Sequence, residues 1–297
     1  MNLLVLDIGG SSIKIAVMDE KHTIITRDKV KTPMDGMDAL FTCLDDIWKR
    51  YGSQVEGLAI SMPGVIDSAH GFAYTGGALR YLENRPFAKE LSERYHIPVW
   101  IGNDAKCAAI AEVGYGALQG VEDAIVIILG TGIGGCLIKD GKVHNGKHFS
   151  SGEVSSLHMN VHHPIGETYN WWRISGILGL REIAQRYLET DEELSGEAFF
   201  QLVNEENEKA IVALKEYATS LAVALFNIQA IYDGEVIAIG GGISAQPKLI
   251  EEVKAAFTQI AKNEPVYVPE IVPCAFRNDA NLIGAYYQYQ NMKLSDE

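Results

Sequence analysis

Residues 6–19, LDIGGSSIKIAVMD, predict an apolar strand, a glycine-rich turn and a second strand in direct succession. A turn without Cβ atoms exposes backbone N–H groups to phosphate oxygens. The alternative is a tight hairpin that needs glycine only for its backbone conformation. The turn also offers a carboxylate, two hydroxyls and a cation, so the candidate residues for binding a phosphorylated cofactor and the metal ion it carries are Asp7, Gly9, Gly10, Ser11, Ser12 and Lys14.

Two further glycine clusters follow later in the chain. Residues 123–135 repeat the strand and the glycine turn, and a strand rather than a helix follows, so the segment matches neither the Walker A pattern nor a dinucleotide fingerprint. In residues 235–244, EVIAIGGGIS, the glycines precede a helix, where a nucleotide can lie against the backbone. Three such clusters favour phosphate binding over packing alone, and they add the candidates Gly130, Thr131, Gly132, Gly134, Gly241 and Gly242.

The remaining chain alternates between strand and helix patterns, which is typical of an α/β protein. At about 150 residues per domain, 297 residues predict two lobes. The periodicity predicts helices over 37–51, 87–95, 176–188, 196–204, 207–231 and 279–290, and further strands over 22–30, 56–62 and 97–102.

The composition excludes several classes of protein. Hydrophobic residues make up 47% and charged residues 22%, which is ordinary for a globular chain. A net charge of −14 is unfavourable for a nucleic-acid phosphate backbone. The N-terminus resembles no signal peptide and no apolar run approaches a membrane span, so we expect a cytoplasmic protein without membrane or nucleic-acid partners. Four widely spaced cysteines favour reduced thiols over a disulfide framework.

Several motifs together resemble the ROK family (repressor, open reading frame, kinase) in their order and spacing. They are LDIGGSSIKIAVMD, SMPGVID, IGNDAKCAAIAE, LGTGIGGCLI, AIGGGIS and DANLIGA. The resemblance implies a two-lobed actin-like ATPase (ribonuclease H-like) fold with a central cleft for nucleotide and sugar. The expected lobes are residues 1–115 and 116–278, and the C-terminal helix, 279–297, returns to the first lobe.

The resemblance implies ATP-dependent phosphorylation of a hexose or a hexose-containing glycoside, at O6, by a homodimer. Mg²⁺ would bridge the phosphates, and Asp7 would lie near it, acting through water, because a carboxylate repels bare phosphate but suits a hydrated cation. The alternatives are a sugar-binding ROK protein without kinase activity and a sugar-responsive regulator. Whether the acceptor is glucose, fructose, N-acetylmannosamine or a β-glucoside stays open.

On the acceptor side, the family's Asn-Asp pair corresponds to Asn103 and Asp104. The resemblance makes Asp104 the base that contacts the accepting hydroxyl, with Asn103 orienting the ring. A carboxylate within hydrogen-bond reach can align a hydroxyl and take its proton. The structural alternative is that Asp104 caps the helix that follows it. In the family, the segment that corresponds to SMPGVID approaches the sugar, and the small Gly64 would allow that approach. The alternative is that Gly64 only forms the turn that ends a strand.

Glu153 resembles the family glutamate that hydrogen-bonds sugar hydroxyls. This chain departs from the family pattern immediately afterwards, and either His158 or Ser156 takes the place of the family histidine. The cysteines that hold structural zinc in many members are missing, so we expect no zinc site, although His158, His162, His163 and Glu167 have suitable side chains. Trp171 and Trp172 would stack on a sugar or pack in the core. These departures leave the identity of the sugar open.

Overall fold

The computed structural model of the protein describes residues 2–162, 169–276 and 279–296, with side chains described as far as residue 292. The candidate zinc ligands His163 and Glu167 lie outside these residues. The chain divides into two compact units. Unit 1 comprises Met1–Ala111, Asn145–Ser150 and Asp279–Glu297, and unit 2 comprises Glu112–His144 and Ser151–Asn278. The predicted lobe boundaries at residues 115 and 278 stay a prediction.

Strands and helices alternate along most of the chain. The strands are β1 (Leu3–Ile8), β2 (Ser12–Met18), β3 (Ile24–Lys31), β4 (Leu58–Met62), β5 (Ile66–Asp67), β6 (Phe72–Ala73), β7 (Val99–Asn103), β8 (Ala124–Leu129), β9 (Ile133–Lys139), β10 (Lys142–Val143), β11 (Val236–Gly241) and β12 (Glu270–Pro273). The helices are α1 (Met37–Tyr51), α2 (Phe87–Tyr95), α3 (Asp104–Tyr115), α4 (Trp171–Ser175), α5 (Ile177–Leu188), α6 (Gly196–Asn204), α7 (Glu208–Tyr232), α8 (Pro247–Ala261) and α9 (Ala280–Asp296).

Unit 1 is built on a five-stranded sheet in the order β3-β2-β1-β4-β7. Strand β1 runs antiparallel to β2 and parallel to β4, and β4 runs parallel to β7. All six residues of β1 are buried, as expected for a central strand covered on both faces, whereas the edge strand β3 alternates between half-buried and exposed residues. Helices α1 and α2 pack on one face of the sheet, and α9 packs on the other.

Unit 2 repeats this topology. Its sheet has the order β10-β9-β8-β11-β12, with β8 antiparallel to β9 and parallel to β11. Each unit therefore opens with a hairpin whose turn carries glycines, and the predicted duplication of the architecture is confirmed. The hydrophobic core of unit 2 is formed largely by β8, β11 and the helices α5 to α8.

Helix α7 is the central helix of unit 2 and extends over 25 residues. Its length and composition would allow it to cross a membrane, but half of its most apolar 18-residue stretch is buried inside the protein. Core helices of soluble proteins can be equally long and apolar, and α7 contributes Leu214, Tyr217 and Leu221 to the core. The burial of α7 therefore follows from its role in packing unit 2.

Candidate functional site

The first glycine turn joins β1 to β2 in unit 1. The Gly9 N–H donates to the Ser12 carbonyl at 3.0 Å, and the side chains of Ser11 and Ser12 lie at the exposed end of the hairpin. Neither Gly9 nor Gly10 has a positive φ, so the turn does not need glycine for its backbone conformation. A Cβ on Gly10 would make only an ordinary contact of 3.5 Å with Ala78. The explanation by turn geometry alone therefore loses support at Gly10, whereas at Gly9 an added Cβ would lie 3.3 Å from the Ser12 carbonyl oxygen, a tight contact that favours glycine.

Asp7 lies at this hairpin with a carboxylate that is held from three directions. Its residue is only 5% exposed. Oδ1 accepts hydrogen bonds from Ser61 Oγ at 3.1 Å and Asn281 Nδ2 at 2.9 Å, and Oδ2 pairs with Lys14 Nζ at 3.0 Å. The predicted cation Lys14 therefore lies beside the predicted carboxylate. Ser61 and Asn281 received no role from the sequence, although SMPGVID begins with Ser61 and DANLIGA contains Asn281.

The second and third glycine clusters line one cavity in unit 2. Its volume is about 320 Å³, within the range of small-molecule pockets. The predicted residues Gly130, Thr131 and Gly242 belong to its lining, whereas Gly134 lies within β9, paired with Ile128. The remaining lining residues, which the sequence did not single out, are Leu129, Ile177, Arg181, Gly196, Glu197, Phe200, Ile243 and Gln246. Those from α5 and α6 come from helices that no glycine motif marks, whereas Leu129 and Ile243 lie inside the second and third glycine motifs and Gln246 directly precedes α8.

The glycines in and beside this cavity differ in what the protein itself requires of them. At Gly241, which ends β11 next to the lining, φ is +95° and an added Cβ would lie 1.9 Å from the Leu129 carbonyl oxygen, so the fold requires glycine there. At Gly242, an added Cβ would meet no atom of the described residues within 4 Å. At Gly130, it would meet only the Gly132 carbonyl oxygen, at 3.9 Å. The absence of side chains at Gly130 and Gly242 leaves space that the described protein atoms do not use.

The acceptor residues Asn103 and Asp104 lie where β7 passes directly into α3 in unit 1. Asn103 Oδ1 accepts the N–H of Lys106 at 3.0 Å, which is the hydrogen bond of a helix cap, whereas Asp104 Oδ1 accepts from the adjacent Ala105 N–H. The interpretation of Asp104 as the capping residue is therefore wrong, because the amide before it performs that role. Asp104 is the first residue of the helix and is half-buried.

Gly64 lies beside Asn103 and is fixed by its backbone. Asn103 Nδ2 donates to the Gly64 carbonyl at 2.9 Å. The φ of Gly64 is +108°, and an added Cβ would lie 2.1 Å from the Thr75 carbonyl oxygen. The fold therefore requires glycine at this position, and the same glycine presents its carbonyl to the acceptor-side amide.

Glu153 and the two candidates for the family histidine lie in unit 2. Glu153 is half-buried and precedes a short 3₁₀ turn, Val154–Ser156. Gly152, directly before it, packs against β9 with a φ of +85°. Ser156 and His158 are both exposed, and His158 bridges to Asn170, so the choice between them stays open. Within the described ranges no group of three potential metal ligands comes together, and the expectation of no zinc site stays a prediction.

The two tryptophans after this segment have different environments. Trp171 is fully buried in the core of unit 2, so a role of this residue in stacking on a sugar is wrong. It lies at the start of α4 and belongs to the core cluster that α5 to α8 form. Trp172 is half-buried, and its Cβ lies 3.7 Å from the position of an added Cβ on Gly132. The core alternative therefore holds for Trp171.

A buried carboxylate that the sequence gave no reason to select lies at the end of α3. Glu112 is 0% exposed and accepts N–H groups from Ala117, Ala275 and Phe276 at 2.8 to 2.9 Å. Burial, and secondarily the charge of Glu112, raises the pKa of the Cys274 thiol well above its usual range. Cys274 therefore stays protonated, and all four cysteines are free thiols, as predicted.

Comparison with known proteins identifies the family of this chain. The sequence profile of the ROK family matches residues 3–291. The chain belongs to the ROK family. A β-glucoside kinase of Listeria monocytogenes is 27% identical over 294 residues, covering 97% of both chains. An N-acetyl-D-glucosamine kinase of Photobacterium profundum is 30% identical over 303 residues, covering 95% of this chain and 97% of the relative.

Solved ROK structures agree with the fold. A ROK family protein from Streptococcus pneumoniae in complex with sucrose has a TM-score of 0.84 at 29% identity, covering 99% of this chain and 100% of that one. A ROK glucokinase from Streptomyces griseus in complex with glucose and AMPPNP has a TM-score of 0.84 at 21% identity, covering 97% and 99%. The predicted actin-like ATPase fold is confirmed, and the kinase relatives confirm the predicted reaction class, ATP-dependent phosphorylation of a sugar.

Proposed function

We propose that this ROK protein transfers the terminal phosphoryl group of ATP to O6 of a glucose-type sugar, with β-glucosides as its preferred acceptors. The observation that carries the donor half of the proposal is the cavity of unit 2, where Gly130 and Gly242 leave space that packing does not need. The acceptor class comes from the relatives, of which the Listeria protein is named a β-glucoside kinase.

The donor nucleotide occupies the cavity of unit 2 in this proposal. Gly130, Thr131 and Gly242 lie against its phosphates, because backbone N–H groups without side chains in front of them suit an anion. Arg181, Glu197 and Gln246 line the same cavity and supply polar groups for the base and ribose. The glycine hairpin of unit 1 is a separate candidate for binding phosphate through its backbone N–H groups.

Magnesium is the cation we assign to Asp7. A carboxylate has about four lone-pair positions, and the hydrogen bonds from Ser61, Asn281 and Lys14 engage three of them. The remaining position suits a water molecule of hydrated Mg²⁺, which keeps several waters when it binds phosphates. When bound, the ion neutralises charge on the phosphates, and Asp7 orients its hydration shell.

Asp104 is the general base in this proposal. It aligns the accepting hydroxyl and takes its proton as the new O–P bond forms, while Asn103, held by the Gly64 carbonyl and the Lys106 N–H, orients the sugar ring. Glu153 hydrogen-bonds sugar hydroxyls, with His158 or Ser156 beside it. Phosphoryl transfer asks little covalent chemistry of the protein, so alignment supplies most of the acceleration. We also propose a cytoplasmic homodimer that binds neither nucleic acid nor membranes.

A panel of sugars tests the proposal directly. We expect ATP consumption, followed in a coupled assay, with cellobiose and aryl β-glucosides at higher kcat/KM than with glucose, fructose, N-acetylglucosamine or N-acetylmannosamine. The position of the phosphate on the product follows from ³¹P–¹H correlation by NMR. Sugar binding by calorimetry without turnover of any sugar would instead identify a sugar-binding protein that has lost kinase activity.

A further inference from the structure

Three aromatic side chains lie next to one another in unit 1, and we call them the aromatic shelf: Phe72, Tyr74 and Phe149. The rings of Tyr74 and Phe149 are stacked, with centroids 5.9 Å apart and an interplanar angle of 19°, and the Phe72 ring is tilted by 59° against that of Tyr74, with centroids 5.0 Å apart. Tyr74 is 44% exposed, and the other two are half-buried. Stacked rings at a surface offer a flat apolar face that the fold itself has not covered.

One end of the shelf is joined to the acceptor residues through hydrogen bonds across the β5–β6 hairpin. The Tyr74 N–H donates to the Val65 carbonyl at 2.9 Å, and the Val65 N–H donates to Thr75 Oγ1 at 2.9 Å. Val65 follows Gly64, whose carbonyl accepts from Asn103 Nδ2. Tyr74 is therefore hydrogen-bonded to Val65, the residue directly after the glycine whose carbonyl holds Asn103.

The other end of the shelf is joined to the same amide by a buried lysine. Lys106 is 5% exposed, and its Nζ donates to the Phe149 carbonyl at 2.6 Å, while its own N–H donates to Asn103 Oδ1. Phe149 has a φ of +61°, which an aromatic residue rarely adopts. The hydrogen bond from Lys106 therefore fixes the carbonyl of a residue whose backbone conformation is uncommon for an aromatic side chain.

We propose that the aromatic shelf binds the second ring, the aglycone, of a β-glucoside whose glucose unit is held by Asn103 and Asp104. This inference rests on the proposed function and adds the residues that select a glycoside over a monosaccharide. The faces of sugar rings carry apolar C–H groups, and aryl aglycones are aromatic, so both stack on aromatic side chains. A monosaccharide has no second ring to place on the shelf. The sucrose bound by the pneumococcal relative shows that a ROK protein accommodates a two-ring sugar.

The test compares kcat/KM for p-nitrophenyl β-D-glucoside with kcat/KM for the best monosaccharide of the panel, in wild type, Tyr74→Ala and Phe149→Ala. We expect a loss of about tenfold for the glucoside in each variant, the size of one aromatic stacking contact, and a change of less than about twofold for the monosaccharide. Tyr74→Leu keeps apolar bulk without a ring face and should show the same selective loss. Tyr267→Ala removes an exposed tyrosine of unit 2 and is the matched control.

Equal losses for both substrates, or unchanged kinetics for the glucoside, would overturn the role of the shelf while leaving the kinase intact. If Phe149→Ala unfolds in a thermal melt, Tyr74→Ala and Tyr74→Leu decide the question. If wild type phosphorylates no sugar, the proposed function fails separately, and calorimetric titration with p-nitrophenyl β-D-glucoside then tests the shelf alone. An affinity that falls about tenfold in Tyr74→Ala supports the role of the shelf. No binding to wild type, or an affinity that is unchanged in Tyr74→Ala, overturns it.

Discussion

At the scale of single residues, adjacent side chains at the start of α3 have separate tasks. Asn103 caps the helix and holds Gly64, so Asp104 is not needed to begin the helix. A carboxylate at the first turn is also favoured by the helix dipole, by about 0.3 to 1 kcal/mol where it is exposed and by up to about 2 kcal/mol where it is partly buried. This separation means that the chemistry of Asp104 can be removed without removing the cap.

Asp104→Asn should therefore fold and bind ATP as wild type does, yet lose kcat by about 10²- to 10⁴-fold, the usual contribution of a general base. Steady-state kinetics with the best sugar give kcat, a thermal melt gives the melting temperature, and a titration with ATP gives its affinity. Asp38→Asn changes a carboxylate in the first turn of α1 and is the matched control, with unchanged kcat. Near-wild-type turnover of Asp104→Asn would remove this residue from the mechanism.

Gly242 of the donor cavity and its neighbour Gly241 make a second residue-scale prediction. Gly242→Ala should keep the melting temperature, because the new methyl group meets no atom of the described residues within 4 Å, and should raise KM for ATP about tenfold by entering the space of the phosphates. Gly241→Ala should instead lower the free energy of unfolding by about 2 kcal/mol or more, because its φ and the nearby Leu129 carbonyl both oppose a side chain. An unchanged KM in Gly242→Ala would place the nucleotide elsewhere.

At the scale of elements, the sequence was most informative where the pattern is local. Helices α1 and α2 match their predicted ranges, 37–51 and 87–95, because apolar spacing within one helix is visible in the chain itself. The hydrogen bonds to Asp7 could not be predicted in this way. Ser61 and Asn281 lie 54 and 274 residues from Asp7 along the chain, and only the parallel pairing of β4 and the return of α9 bring them there.

Helix α9 should therefore contribute to stability through one side chain at its start. Asn281→Ala removes a donor to the buried Asp7 carboxylate, and we expect the free energy of unfolding to fall by about 2 kcal/mol, as is typical of a hydrogen bond to a charged group. Asn291→Ala, at an exposed position of the same helix, carries the same change in helix propensity and should alter it little. Equal effects of both variants in urea titrations would contradict the role of the Asp7 contact.

At the scale of the whole molecule, the two units share a strand order but not a set of site residues. The predicted duplication follows from glycine turns after apolar strands, which the sequence displays twice. The cavity lining of unit 2 was predicted only in part, because Arg181 and Glu197 come from helix surfaces whose composition resembles any solvated face, and Gln246 directly precedes α8. Each unit also contains a tyrosine, buried in unit 1 and half-buried in unit 2, whose ionisation the fold opposes.

These tyrosines make the protein lose stability in alkali. Burial raises the pKa of Tyr289 in unit 1 to about 12, with Glu56 adding to it, and burial followed by Asp123 raises the pKa of Tyr232 in unit 2 to about 12. Since an unfolded tyrosine has a pKa of 10.0, the unfolded chain releases these protons first. The stabilisation from both neutral hydroxyls is complete below pH 10 and disappears as the pH rises from 10 to about 12.

We therefore expect the urea midpoint to decrease steeply above about pH 10 in wild type. Tyr289→Phe and Tyr232→Phe should each flatten that decrease, because phenylalanine has no proton to lose, and the double variant should flatten it further since the two residues lie in separate units. Tyr267→Phe, at a largely exposed tyrosine, should follow the wild-type curve. Midpoints measured from pH 8 to 11.5 decide the matter, and a double variant with the wild-type slope would show that other groups control the alkaline limit.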